Sequence, residues 1–129
     1  MDLLLATMDL REVVAPMPIS PIPGVPPGIQ GVVIHQGEFL PVLDWQVLPG
    51  CPARPSTPSA LAVLKPRLSL PLDRLIGMIE IPADAWREPD AADPANEWIG
   101  GLAQLGDSEF RLVDPDRIIS LLRRLRGDH

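Results

Sequence analysis

Apolar positions in this chain come in short runs separated by proline and glycine, and they alternate more often than they follow a helical turn. Near the N-terminus, Leu3, Leu4 and Leu5 and then Leu10, Val13 and Val14 form two clusters that suit two short strands or a helix; we read strands. Six prolines between residues 16 and 27 come next. They impose an extended or turning segment, because proline fixes φ and lacks the N–H a ladder needs. Residues 31–44 read as a β-hairpin: Val32, Val33 and Ile34 lead into Gln36 and Gly37, and residues 39–43 lead out.

Residues 46–59 hold Pro49, Gly50, Pro52, Pro55 and Pro58, a shift in composition that predicts a linker between a first subdomain, about 1–45, and a second, about 60–114. Beyond it, residues 61–64 form one strand, and Leu68, Leu70 and Leu72 alternate through the next, which Pro71 marks as an edge or a bulge. Residues 75–81 read as a further strand with β-branched Ile76, Ile79 and Ile81, and residues 83–97 as an acidic loop. A second hairpin spans residues 98–105 and 110–113 around Gly106 and Asp107. The one helix predicted is 115–126, where Ile118, Leu121, Leu122 and Leu125 share a face. Asp114 is placed to cap it, Pro115 opens it, Arg123, Arg124 and Arg126 oppose its dipole, and Gly127 stops it.

The two hairpins align without a gap, residues 31–44 over 101–114, each running from a glycine to an aspartate, with Ile29 and Ile99 two places ahead. Either one unit occurs twice or two hairpins share ordinary alternation; the proline linker between them favours two related lobes.

Composition supports this picture and narrows the function. The chain has 129 residues, 46% hydrophobic and 22% charged, enough apolar material for one domain, and its 17 prolines argue against long helices. A net charge of −6 disfavours nucleic acid, whose phosphates it would repel. One cysteine, Cys51, can form no internal disulfide and suits a reducing cytoplasm. No run approaches the roughly 20 apolar residues of a membrane span, and the first residues do not read as a signal peptide.

Candidate chemistry is sparse. Neither histidine, His35 nor His129, stands beside a spaced cluster of metal ligands or a nucleophile, so no metal, cofactor or catalytic residue is expected. Asp44 ends an apolar strand as an aspartic protease carboxylate does, but Trp45 follows where a small hydroxyl residue and then glycine would be needed, so a turn-capping role is preferred. Asp84, Glu88, Asp90, Asp93 and Glu97 lack the spacing of a calcium loop. Of the tryptophans that bracket this acidic loop, Trp98 reads as a packing residue and Trp86 as packing or partner anchor.

Over nearly the whole of its length, the chain resembles the CheW-like domain family. The resemblance runs through Leu10-Arg-Glu-Val13, Pro27-Gly-Ile-Gln-Gly31-Val, Gly37-Glu-Phe-Leu-Pro41-Val-Leu-Asp44, Leu61-Ala-Val-Leu64, Gly77-Met-Ile79, Trp98-Ile-Gly-Gly-Leu102 and Leu112-Val-Asp114, in family order. It implies an all-β fold of two SH3-like β-barrels side by side, the second ending in a helix. It also implies a non-enzymatic cytoplasmic adaptor that binds the regulatory domain of a CheA-type histidine kinase and the cytoplasmic tip of a methyl-accepting chemoreceptor. By family position, Leu10, Glu12, Gly31, Gln36 and Gly37 would lie near the partner contact.

The chain departs from the family pattern in two places. The family has one more strand ahead of the segment matching residues 3–14, so the first barrel is expected to lack its N-terminal strand. Gln36 stands where the family usually has an arginine that pairs with the acid at Glu12, so that ion pair is expected to be missing. The alternative function is a self-associating protein in which a second copy completes the barrel by strand exchange.

Overall fold

In the computed structural model, which describes residues 2–51 and 58–127, the regular structure of the chain is mostly strand and closes on one α-helix. The strands are β1 (Asp2–Leu4), β2 (Leu10–Val14), β3 (Ile29–His35), β4 (Glu38–Leu43), β5 (Ala60–Leu64), β6 (Ser69–Leu72), β7 (Trp86–Arg87), β8 (Ile99–Leu105) and β9 (Ser108–Val113), followed by α1 (Pro115–Arg126). They make a five-stranded sheet in the order β2-β5-β6-β4-β3 and a four-stranded sheet in the order β1-β9-β8-β7. This is the mostly-β architecture of two SH3-like lobes and a terminal helix that the resemblance implies.

The division between sheets does not follow the proline linker. β5 and β6, placed by sequence in the second subdomain, pair with β2 and β4, whereas the N-terminal β1 leaves the first half and pairs parallel to β9. Burial explains the assignment of β5. All of its residues are apolar and buried because both faces are covered: Leu61 and Val63 pack with Val33, Leu40 and Val42 inside the five-stranded sheet, and Ala62 and Leu64 face the other lobe. The lobe containing β2 therefore has its five strands, and the expectation of a short first barrel is not met; the sheet with fewer strands is the one that β1 joins. The linker prolines 52 and 55 and His129 lie outside the described residues.

Two other segments differ from their sequence-based assignment. Residues 75–81 belong to no strand, and Leu75, Ile76, Met78 and Ile79 are exposed. β6 is an interior strand despite Pro71, because its pairing with β4 reaches only Ser69, and the proline keeps its carbonyl as acceptor for Trp45 Nε1 at 2.6 Å.

The hairpin repeat is present residue for residue. In β3–β4 the pairs Ile29↔Leu43, Gly31↔Val42 and His35↔Glu38 match Ile99↔Val113, Gly101↔Leu112 and Leu105↔Ser108 in β8–β9, and a register shift comes after the isoleucine in each. Even the neighbours correspond: β6 joins β4 at Val42 in parallel, and β1 joins β9 at Leu112 in parallel. On the other side Ser20 bridges Val32, and Arg87 pairs with Leu102. Asp44 and Asp114 end the two units alike, accepting from the backbone N–H of Gln46 and of Asp116, both at 3.0 Å.

One core joins the lobes. Leu43, Trp45, Leu48, Cys51, Ala62, Leu64, Leu68 and Leu70 from one side meet Trp98, Ile99, Val113, Ile118 and Leu121 from the other. Trp45 and Trp98 meet edge to face, 6.2 Å apart, and the Trp98 Nε1–H donates to the Pro49 carbonyl at 2.7 Å. Trp98 is thus a packing residue, as read; Trp86 is more exposed and lies over Gly101. Helix α1 presents Ile118 and Leu121 to this core, while Leu125, expected on the same face, is exposed in the last turn.

Candidate functional site

The five-stranded sheet curls until its two edge strands, β2 and β3, come within side-chain reach, although no ladder joins them. Polar side-chain pairs close this seam. Glu12 on β2 contacts His35 Nε2 at the end of β3. Arg11, beside it, donates through both terminal nitrogens to the Glu38 carboxylate, at 3.3 and 3.4 Å. The hydrogen bond from Arg11, and then its positive charge, hold the Glu38 carboxyl below its usual range; the same hydrogen bond and the charge of Glu38 raise Arg11. The pairing Glu12 was expected to lose with Gln36 is therefore taken over by the neighbouring residue, His35.

His35 and Glu38 face each other across the turn Gln36-Gly37, in which both central residues have positive φ, 50° and 78°. That geometry matches the right-handed twist of the strands it joins, and the glycine adopts it without the cost a Cβ brings. One step further along the hairpin, Ile34 and Phe39 stand opposite each other, each 61% exposed. Their neighbours Val33 and Leu40 point inward and are buried, so strict alternation puts the pair in water.

The five residues singled out by family position separate into two groups. Glu12, Gln36 and Gly37 gather at this seam, with the turn exposed. Leu10 and Gly31 do not join them as exposed groups. Leu10 packs against the core shared by the lobes, and Gly31 is buried where the proline-rich segment crosses β3; a Cβ there would lie 2.5 Å from the Ser20 carbonyl oxygen. Sequence reasoning missed Arg11, Ile34, His35, Glu38 and Phe39 as a group. The hairpin alternation carried the signal for Ile34 and Phe39, but the meeting of β2 with β3 depends on sheet curvature, which no spacing records.

A hollow of about 410 Å³ lies on the other lobe, lined by Trp86, Arg87, Glu88, Asn96, Gly101 and Arg117 among others, with no histidine, cysteine or serine in its wall. Among the described residues no group of His, Cys, Asp and Glu could hold a metal ion, and no helix is long and apolar enough to cross a membrane.

Comparison with solved structures gives a match to the crystal structure of the scaffolding protein TtCheW from Thermoanaerobacter tengcongensis, with a TM-score of 0.73 and 23% identity, covering 86% of this chain and 75% of that one. A search of curated proteins finds no match. The family model described as CheW-like domain matches residues 1–123. With that match spanning nearly its whole length and the same fold in a solved scaffolding protein, the chain belongs to the CheW-like domain family.

Proposed function

We propose that the protein is a non-enzymatic cytoplasmic adaptor that couples the tip of a methyl-accepting chemoreceptor to the regulatory domain of a CheA-type histidine kinase. Family membership supports a scaffold role in chemotaxis, and the seam between β2 and β3 supports a place for it. The observation that carries the reading is the exposed pair Ile34 and Phe39 beside the Gln36-Gly37 turn, bordered by the Arg11–Glu38 and Glu12–His35 pairs. An apolar centre with a charged rim is the composition of a protein-binding surface, where the apolar residues supply affinity and the charges set orientation.

The mechanism is geometric. Holding receptor and kinase on one small rigid body raises their effective concentration for each other and lets a bias in one reach the other. Retention assays with a CheA-type regulatory domain and a receptor-tip fragment from the same cell test it. Binding of both is expected; retention of neither overturns the coupling role.

A further inference from the structure

Residues 75–81 form an apolar segment of the described chain that no strand pairs. Leu75, Ile76, Met78 and Ile79 are 56, 69, 85 and 52% exposed, so both faces of the segment stand in water, and no ladder pairs it. The repeat shows what is absent. In the first lobe β2 ends a few residues before Ser20, the residue that bridges β3, and β2 pairs along β5. Residues 75–81 lie at the same distance before Arg87, the residue that pairs with β8 in the second lobe, and have no counterpart of β5 beside them.

The sequence Arg74-Leu-Ile-Gly77-Met-Ile-Glu80 is complementary to itself when reversed about its glycine. Laid antiparallel against a second copy with Gly77 opposite Gly77, it sets Leu75 across from Ile79, Ile76 across from Met78, and Arg74 across from Glu80 at both ends. Neither Arg74 nor Glu80 takes part in the ion pairs found among the described residues. A Cβ built on Gly77 would meet nothing within 4 Å, so the side-chain side of the central residue is open.

We propose that two copies of this protein associate by antiparallel pairing of residues 74–80 about a two-fold axis through Gly77, with reciprocal Arg74–Glu80 pairs fixing the register. Aliphatic and opposite-charge cross-strand pairs stabilise such a ladder, and a two-fold axis makes each contact occur twice. One strand pair buries less than the roughly 1,200 Å² of a standard stable interface, so the dimer is expected to be of micromolar strength and readily reversible.

Sedimentation equilibrium of the full chain across micromolar concentrations tests this, with circular dichroism to confirm that each variant is folded. The wild type is expected to show a reversible monomer–dimer equilibrium. Arg74→Glu and Glu80→Arg, each placing like charges opposite one another at both ends, are expected to weaken it by about tenfold or more. An equimolar mixture of the two variants restores both pairs and is expected to recover a heterodimer, as is the double variant R74E/E80R on its own. Met78→Lys, which leaves the charges in place, is expected to disrupt the dimer. A wild type that stays monomeric throughout overturns the proposal, and so does a dimer indifferent to the single reversals or folded variants that do not recover on mixing. The adaptor reading is tested separately by kinase retention on monomeric R74E, so failure of one is distinguishable from failure of the other.

Discussion

At Gly31 the absence of one carbon lets the proline-rich segment lie against β3. The Ser20 N–H and carbonyl bond to Val32 at 2.8 and 3.0 Å, and a Cβ on Gly31 would sit 2.5 Å from that carbonyl oxygen. Gly31→Ala is therefore expected to destabilise the fold by roughly 1–3 kcal/mol, the usual cost of overpacking a tight site, as read by urea unfolding. Glu38 makes a second residue-level test. Its carboxyl is held below the ordinary 4.5 by the Arg11 hydrogen bond and charge, so its contribution to stability is present above that value and lost as pH falls through the lowered folded-state pKa. Thermal unfolding followed through the acid range is expected to show this loss in the wild type and not in Glu38→Gln. The pair is exposed, so the difference should be small and shrink with added salt.

Elements in the two halves are built on one plan, and their ends show where the plans diverge. Asp44 and Asp114 each terminate a hairpin and cap the next element, but Asp44 caps the short turn Trp45–Val47 whereas Asp114 caps the full helix Pro115–Arg126. Asp114 accepts from the N–H groups of Asp116 and Arg117 and also meets the Arg117 guanidinium at 3.2 Å. Loss of an N-cap costs about 1 kcal/mol, so Asp114→Ala is expected to lower stability by about that much, with helix ellipticity reduced, and Asp44→Ala by less. Legibility varied in the same way. Hairpin, cap and helix are local, set by residues a few positions apart, and the sequence showed each of them. The 75–81 segment has the β-branched composition of a strand, yet a strand exists only where a neighbour supplies hydrogen bonds, and none is there.

Across the whole molecule the two lobes share a core, and that should govern how it unfolds. Trp45 and Trp98 come from opposite lobes and touch, so ellipticity and tryptophan fluorescence are expected to report one coincident transition; two separated transitions would show lobes that fold independently. The proposed partner surface lies away from that core. Phe39→Glu, at a position 61% exposed, is expected to leave the unfolding midpoint unchanged while weakening retention of kinase or receptor by about tenfold or more. Equal retention by this variant would remove the Ile34–Phe39 face from the contact.

The strand-rich class, both hairpins with their repeat, the capped terminal helix and the family resemblance were legible in the chain alone, because alternation, turn chemistry and capping act over a few residues. The sequence also singled out, by family position, Glu12 and the Gln36-Gly37 turn, which the structure places at the same end of the five-stranded sheet. Long-range packing assigned β5 and β6 to the first lobe and β1 to the second, since strand partners are chosen by which apolar faces can be buried together. The same is true of the Glu12–His35 and Arg11–Glu38 seam. Its members lie far apart in sequence and meet because a five-stranded sheet curls on itself.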